Sequence, residues 1–347
     1  MLDICLEHRS ESVNLYLESS SSQAGESITV PVTKMPTVVC HADWGTSPHK
    51  RWIARADLDS GHYEVRAPEL VGDHLMLISR VRDDVAEAGS VLFGFDFPIG
   101  IPAAYAASIR VTNFKEFLIK LGSKEWAQFY SVCAKASEIT KYCPFYPFRP
   151  GGTCHKHLLS ALGVKCIDDL RRQCELETAE RNAACPLFWT LGANQVGKGA
   201  IVGWRDVIVP ALADATVKLW PFDGVLDHLL LPGNLVVAET YPAEACRWLL
   251  GRPLKGKGKL DVRKSASTAL VSWAQRRGVR LHSNLKQVIE QGVPNGDDAF
   301  DAVIGLFGML EVVLGHRATG EPIDKAVRDI EGWILGQVAP ESSNADC

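Results

Sequence analysis

The chain has 347 residues, 46% hydrophobic and 22% charged, which is globular composition with apolar material for one large core or two ordinary ones. A formal net charge of -4 excludes a globally basic surface, so any nucleic-acid contact needs a local basic patch. No apolar run approaches the roughly 18 residues that cross a membrane, and the ten cysteines show no CxxC spacing, which predicts buried hydrophobes or free thiols rather than a disulfide framework.

Residues 1–35 are Ser-rich and weakly patterned and read as a loosely ordered leader, with Met35 as an alternative start. They lack a basic start followed by an apolar stretch, so no secretory signal is expected and the cytoplasm is the default compartment. The first β-prone run covers 37–42 and ends at Asp43-Trp44-Gly45; residues 51–56 and 61–66 then alternate apolar and polar, the latter after an Asp-Ser-Gly turn. Short connections between these three runs predict an antiparallel meander. Residues 68–88 fit a helix. Residues 91–95 form a continuous apolar run, as a strand buried on both faces does, and end at Asp96 before Pro98 and Pro102.

The segment 103–233 is expected to be a mostly helical insertion with loops rich in Pro, Gly and aromatics. Residues 235–238 form another apolar strand, ending at Glu239-Thr240-Tyr241-Pro242. A basic loop, a helix over about 263–277 and a last helix opening at Asp297-Asp298 follow, and the tail after Gln337 is expected to fray. Strands alternating with helices after an antiparallel start imply an α/β chain with a mixed sheet flanked by helices, a single domain over 36–337.

Three of these strands end in an acid: Asp43, Asp96 and Glu239. One such acid is commonly a turn residue or a helix cap. Three together, at the carboxyl ends where the crevice of such a sheet opens, suggest a shared cation, because a buried carboxylate is costly without a partner. Asp298 and Asp301 lie three apart on the last helix and share one face, whereas Asp297 reads as its cap. Asp43, Asp96, Glu239, Asp298 and Asp301 are therefore the candidate metal ligands and catalytic residues, with Glu239 as ligand or water-orienting base. Hard oxygen donors suit Mg²⁺ or Mn²⁺, and a two-metal clamp fits phosphodiester cleavage.

A strand ending in Asp, the segments GFDFPIGIP, AETYPAE and DDAFDAVIGL, and the stretches PFRPGG and LFWTLGANQVGKGAIVGW resemble an uncharacterised family described as predicted RNase H-like nucleases. The resemblance runs from residue 36 to about 315. The closing helix is also similar to that of Holliday-junction resolvases, in which two acids on the last helix complete a metal site. The resemblance implies an RNase H-like mixed sheet with a large helical insertion, a divalent-metal nuclease site and nucleic acid as partner.

Candidate substrate contacts are Lys257 and Lys259 in a KGKGK loop, expected near Glu239, with Arg149, Gln195 and Lys198 in the insertion. The bland alternatives are a solvated loop and ordinary packing. The spacing of Cys133, Cys143, Cys154, His155 and His157 fits no common zinc module. Two other functions compete with a nuclease. One is a non-catalytic binding or regulatory module. The other is an actin/hexokinase-type phosphotransferase, for which Asp43-Trp44-Gly45-Thr46-Ser47 is a faint phosphate-turn echo but a duplicated second domain is missing.

Overall fold

A computed structural model of the chain describes residues 35–177, 182–192 and 196–338. The expectations for the leader before Met35, for Gln195 and for the tail beyond Val338 lie outside those residues. The strands are β1 (Val38–Asp43), β2 (Trp52–Asp59), β3 (His62–Val65), β4 (Glu69–Leu70), β5 (Val91–Phe95), β6 (Val217–Leu219), β7 (Leu235–Glu239) and β8 (Arg280–Leu281). They form one mixed eight-stranded sheet in the order β6-β7-β5-β1-β2-β3-β8, with β4 paired to β2. Strands β1, β2 and β3 run antiparallel, while β5, β7 and β6 extend the sheet from β1 in parallel.

The expected meander forms because β2 and β3 alternate and their two connecting residues, Ser60 and Gly61, both take positive φ (50° and 81°). Such a two-residue turn matches the twist of the paired strands. Every residue of β1, β5 and β7 is buried, as their continuous apolar runs require, because helices cover both faces of the sheet. One face carries the long helix Asp297–Val313 and the helices Pro242–Leu250 and Ser267–Arg276. The other carries an aromatic core of Phe93, Phe95, Phe97, Phe114, Phe145 and Trp204, supplied jointly by β5 and the insertion.

The long helix sits hard against β1. A β-carbon at Gly305 would lie 2.2 Å from His41 Cε1, and one at Gly308 would meet Ala245 Cβ at 2.6 Å. His41 is buried, its ring held neutral by burial that pushes its pKa down to about 3, and its Nδ1 lies 3.1 Å from the Ala302 carbonyl. Gly305→Ala is expected to destabilise the protein by about 1–3 kcal/mol, since neither the helix nor the sheet can yield. Unfolding in urea measures it; an unchanged midpoint would contradict this packing.

Three expectations change. Helix covers only Leu77–Asp83 of 68–88, with β4 at its start. The helix over 263–277 is two, Leu260–Lys264 and Ser267–Arg276. The insertion contains short helices, a π-helical turn at Gly203–Ile208 and long irregular stretches, and it donates β6 to the sheet. Strands of two or three residues carry no period of their own and exist through the neighbour that bonds them. Among the described residues no helix is long and apolar enough to cross a membrane.

Candidate functional site

The register of the sheet decides which acids meet. Ala42 of β1 pairs with Phe95 of β5, so the next residues, Asp43 and Asp96, emerge side by side and on one face. That face is the one the long helix covers, because Asp43 lies two residues beyond His41. The two carboxyl groups hydrogen-bond to each other, and Asp96 Oδ1 also accepts the Trp44 N–H at 2.7 Å. Arg51 fixes the turn after Asp43. Its guanidinium lies 4.7 Å over the Trp44 ring and donates to the carbonyls of Gly45 (2.7 Å) and Thr46 (2.9 Å).

The long helix supplies the other acids. It begins at Asp297 after Gly296, whose φ of 123° no side chain adopts comfortably, and it has no side-chain cap. Asp298 lies in its first turn and Asp301 one turn in, on the same face. The Asp301 carboxylate forms an ion pair with Lys257 Nζ.

Burial and mutual repulsion set the charges. Asp43 is 7% exposed, and its pKa is raised well above the ordinary range by burial and then by the charges of Asp96, Asp301 and Asp298. Asp96 is pushed up to about 7 by burial, partly offset by the Trp44 N–H and by Asp43. Asp43 is therefore the member of the pair favoured to hold a proton, towards Asp96. Burial also raises Asp301, against the opposing pull of Lys257, and raises Asp298 together with the charge of Asp297. Lys257 stays charged. Its pKa is raised by Asp301 and by the charges of Asp43 and Asp96, against the opposing effect of burial.

Lys257 thus sits among the aspartates rather than beside Glu239. Its loop is tied down by buried Arg263, which donates to the Lys257 carbonyl (2.7 Å) and to the Gly292 carbonyl (2.9 Å). A β-carbon on Gly258 would lie 3.9 Å from Asp297 Oδ2, so the loop crosses the start of the long helix. Lys259 is exposed on the same loop.

Glu239 does not join the cluster. It pairs in register with Phe95, one residue out of phase with Asp96, so its side chain leaves the opposite face. There Arg172, with no exposed surface, donates to Oε1 (2.6 Å) and Oε2 (2.7 Å), and the Ile99 N–H donates to Oε2 (2.6 Å). Arg172 also binds Glu175 Oε1 (2.8 Å) and the carbonyls of Ile99 (3.2 Å) and Glu331 (3.1 Å). The expectation of Glu239 as ligand or base gives way to a structural one: it anchors the turn that begins at Asp96. Sequence reasoning missed Arg172 and the phase of Glu239, because the register of β7 against β5 is set between strands far apart in the chain.

Of the remaining candidates, Lys198 lies in the helix Val196–Val202. That helix packs against the residue after Asp43, with a β-carbon on Gly199 3.5 Å from the Trp44 carbonyl. Arg149 is exposed on the insertion.

Among the described residues, no three His, Cys, Asp or Glu side chains already stand in metal-holding geometry. The donor set still fits a hard cation: all its donors are oxygens, and Asp43, Asp96, Asp298 and Asp301 are raised first by burial and then by neighbouring carboxylates, both of which a divalent ion would offset. The hydrogen bond between Asp43 and Asp96 and the Lys257 ammonium on Asp301 carry that role here. Compared with protein-family models, curated proteins and solved structures, the chain gives no match.

Proposed function

We propose that the protein is a divalent-metal-dependent phosphodiesterase acting on nucleic acid, built on an RNase H-like sheet. The observation that carries this reading is the gathering of Asp43, Asp96, Asp298 and Asp301, from three separate elements, at one end of β1 and β5. An antiparallel meander joined through β1 to parallel strands supports the RNase H-like part.

Asp43, Asp96, Asp298 and Asp301 would hold Mg²⁺ or Mn²⁺, which supplies charge to activate a water and to stabilise a leaving oxygen. For the chain's own part, Asp43 gives up the proton it shares with Asp96, and Lys257 is the ammonium nearest the reacting phosphate. Lys198 and Lys259 are the candidates for further phosphate contacts, and the Arg172–Glu239 pair holds the turn carrying Asp96 through Ile99.

Manganese-dependent cleavage of single-stranded, double-stranded, hybrid and branched substrates tests the reading. Asp43→Asn and Asp301→Asn are each expected to lower the rate at least about 100-fold, more than the loss of an outer-sphere partner. One observation favours a non-catalytic binding module instead: the shared proton and Lys257 already neutralise much of the cluster. Wild-type protein that cleaves no substrate and gains no thermal stability from Mn²⁺ would decide for that module.

A further inference from the structure

The insertion holds a second reactive pair, apart from the aspartates. Cys133 and Cys143 are ten residues apart in sequence, yet their sulfurs lie 3.0 Å from each other. The backbone holds them there. The Cys133 N–H donates to the Phe145 carbonyl and the Phe148 N–H to the Cys133 carbonyl, both at 2.8 Å. Cys143 and Thr140 exchange a pair of backbone hydrogen bonds at 3.2 Å, which turns the chain back. Both thiols are free; Cys133 is 3% exposed and Cys143 is the more accessible.

We propose that Cys133 and Cys143 are an oxidation site, a dithiol that a low-molecular-weight disulfide converts reversibly into an intramolecular disulfide. Two sulfurs at 3.0 Å need to close by only about 1 Å to reach bonding distance. The Cys143 thiolate attacks one sulfur of the external disulfide, forming a mixed disulfide and expelling the first thiolate. Cys133 then loses its proton and attacks Cys143 Sγ, forming the internal bond and expelling the second. Two protein thiols are oxidised, one external disulfide is reduced to two thiols, and the two protons lost from the protein end on them or in solvent. The order of attack follows accessibility, and the Cys133 thiol, by hydrogen-bonding to Cys143, favours the Cys143 thiolate.

The bond would fix the strip 131–148 on itself. That strip also holds the next part of the insertion: the Tyr146 N–H donates to the Phe188 carbonyl (2.9 Å), the Thr190 N–H to the Tyr146 carbonyl (3.0 Å) and the Thr190 hydroxyl to the Pro147 carbonyl (2.7 Å). Residues 188–190 lead towards the helix bearing Lys198, so oxidation would stiffen the frame that holds this helix against Trp44.

The test uses reduced full-length protein, oxidised glutathione, alkylation of the remaining thiols and peptide mass analysis. Cleavage at Lys135 and Lys141 separates the two cysteines, so a linked pair of peptides, lighter by two hydrogen atoms than their sum, reports a bond from Cys133, and fragmentation of the 142–156 peptide distinguishes Cys143 from alkylated Cys154. This species is expected to form first, while exposed Cys154 and Cys166 collect only glutathione adducts, and dithiothreitol should reverse it. Cys133→Ser is expected to trap glutathione on Cys143, and Cys143→Ser to prevent the linkage. The proposal is overturned if wild-type Cys133 and Cys143 remain as alkylatable as Cys154, or if a glutathione adduct on wild-type Cys143 persists unresolved. Because the decisive readout is on the wild-type chain, a poorly folding variant leaves the answer intact.

Discussion

Replacing Arg172 by methionine is expected to lower the free energy of unfolding by about 3–5 kcal/mol, the cost of leaving a buried charge without its partner. Arg172 has no exposed surface and forms charge-assisted bonds with Glu239 and Glu175. Burial already raises the Glu239 pKa, and Arg172 is the largest influence opposing it. Without the guanidinium, Glu239 would take up a proton, and the anchor of Ile99 would weaken with it. The double variant Arg172→Met, Glu239→Gln is expected to regain part of the loss, since Glu239 then carries no uncompensated charge and only Glu175 is left without the guanidinium. Urea unfolding of the native protein and the two variants measures this. If the double variant is no more stable than Arg172→Met, packing rather than charge pairing holds this junction.

The second large effect concerns the aspartate pair and pH. Carboxyls raised in the folded state bind protons that the unfolded chain has already released, so stability falls as pH rises between the two pKa values. For Asp96 that window runs from the ordinary aspartate value of 3.8 to about 7, and Asp43, also raised, acts in the same direction. Below pH 4 both states are protonated and nothing is lost. Asp43→Asn removes the repulsion and keeps a donor towards Asp96, so near pH 4 the variant should match the native protein. At pH 8 it is expected to be more stable, by on the order of 2 kcal/mol. Mn²⁺ at pH 8 is expected to raise the melting temperature of the native protein and not of the variant. Thermal unfolding across pH 4–8, with and without Mn²⁺, measures both effects. Parallel curves for the two proteins would mean that the pair carries no such strain.

These two experiments separate the two carboxylate systems at the end of the sheet. Arg172 and Glu239 should respond in stability at all moderate pH values, and Asp43 with Asp96 only as the pH rises. A protein whose pair is destabilising without a cation keeps it at a cost, which is common where a site serves function rather than folding.

How much of this was legible follows from the range of each interaction. Strands β1, β5 and β7 and the long helix declare themselves in sequence because burial imposes a periodicity on neighbouring residues, and the acids at their ends are read with them. Asp43, Asp96, Asp298 and Asp301 come from that local reading, as does the mixed α/β sheet with its antiparallel start. Partners are another matter. Lys257 meets Asp301 across 44 residues, and Arg172 meets Glu239 across 67. Glu239 lost its expected place among the aspartates to a single residue of register, and β4, β6 and β8 exist only through the strands that bond them. By itself the sequence determined the buried strands, the long helix and the acids at their ends, because those depend on neighbours in the chain. Only the tertiary structure decided which charges face each other, because phase across a sheet and the path of a loop are set by contacts between distant residues.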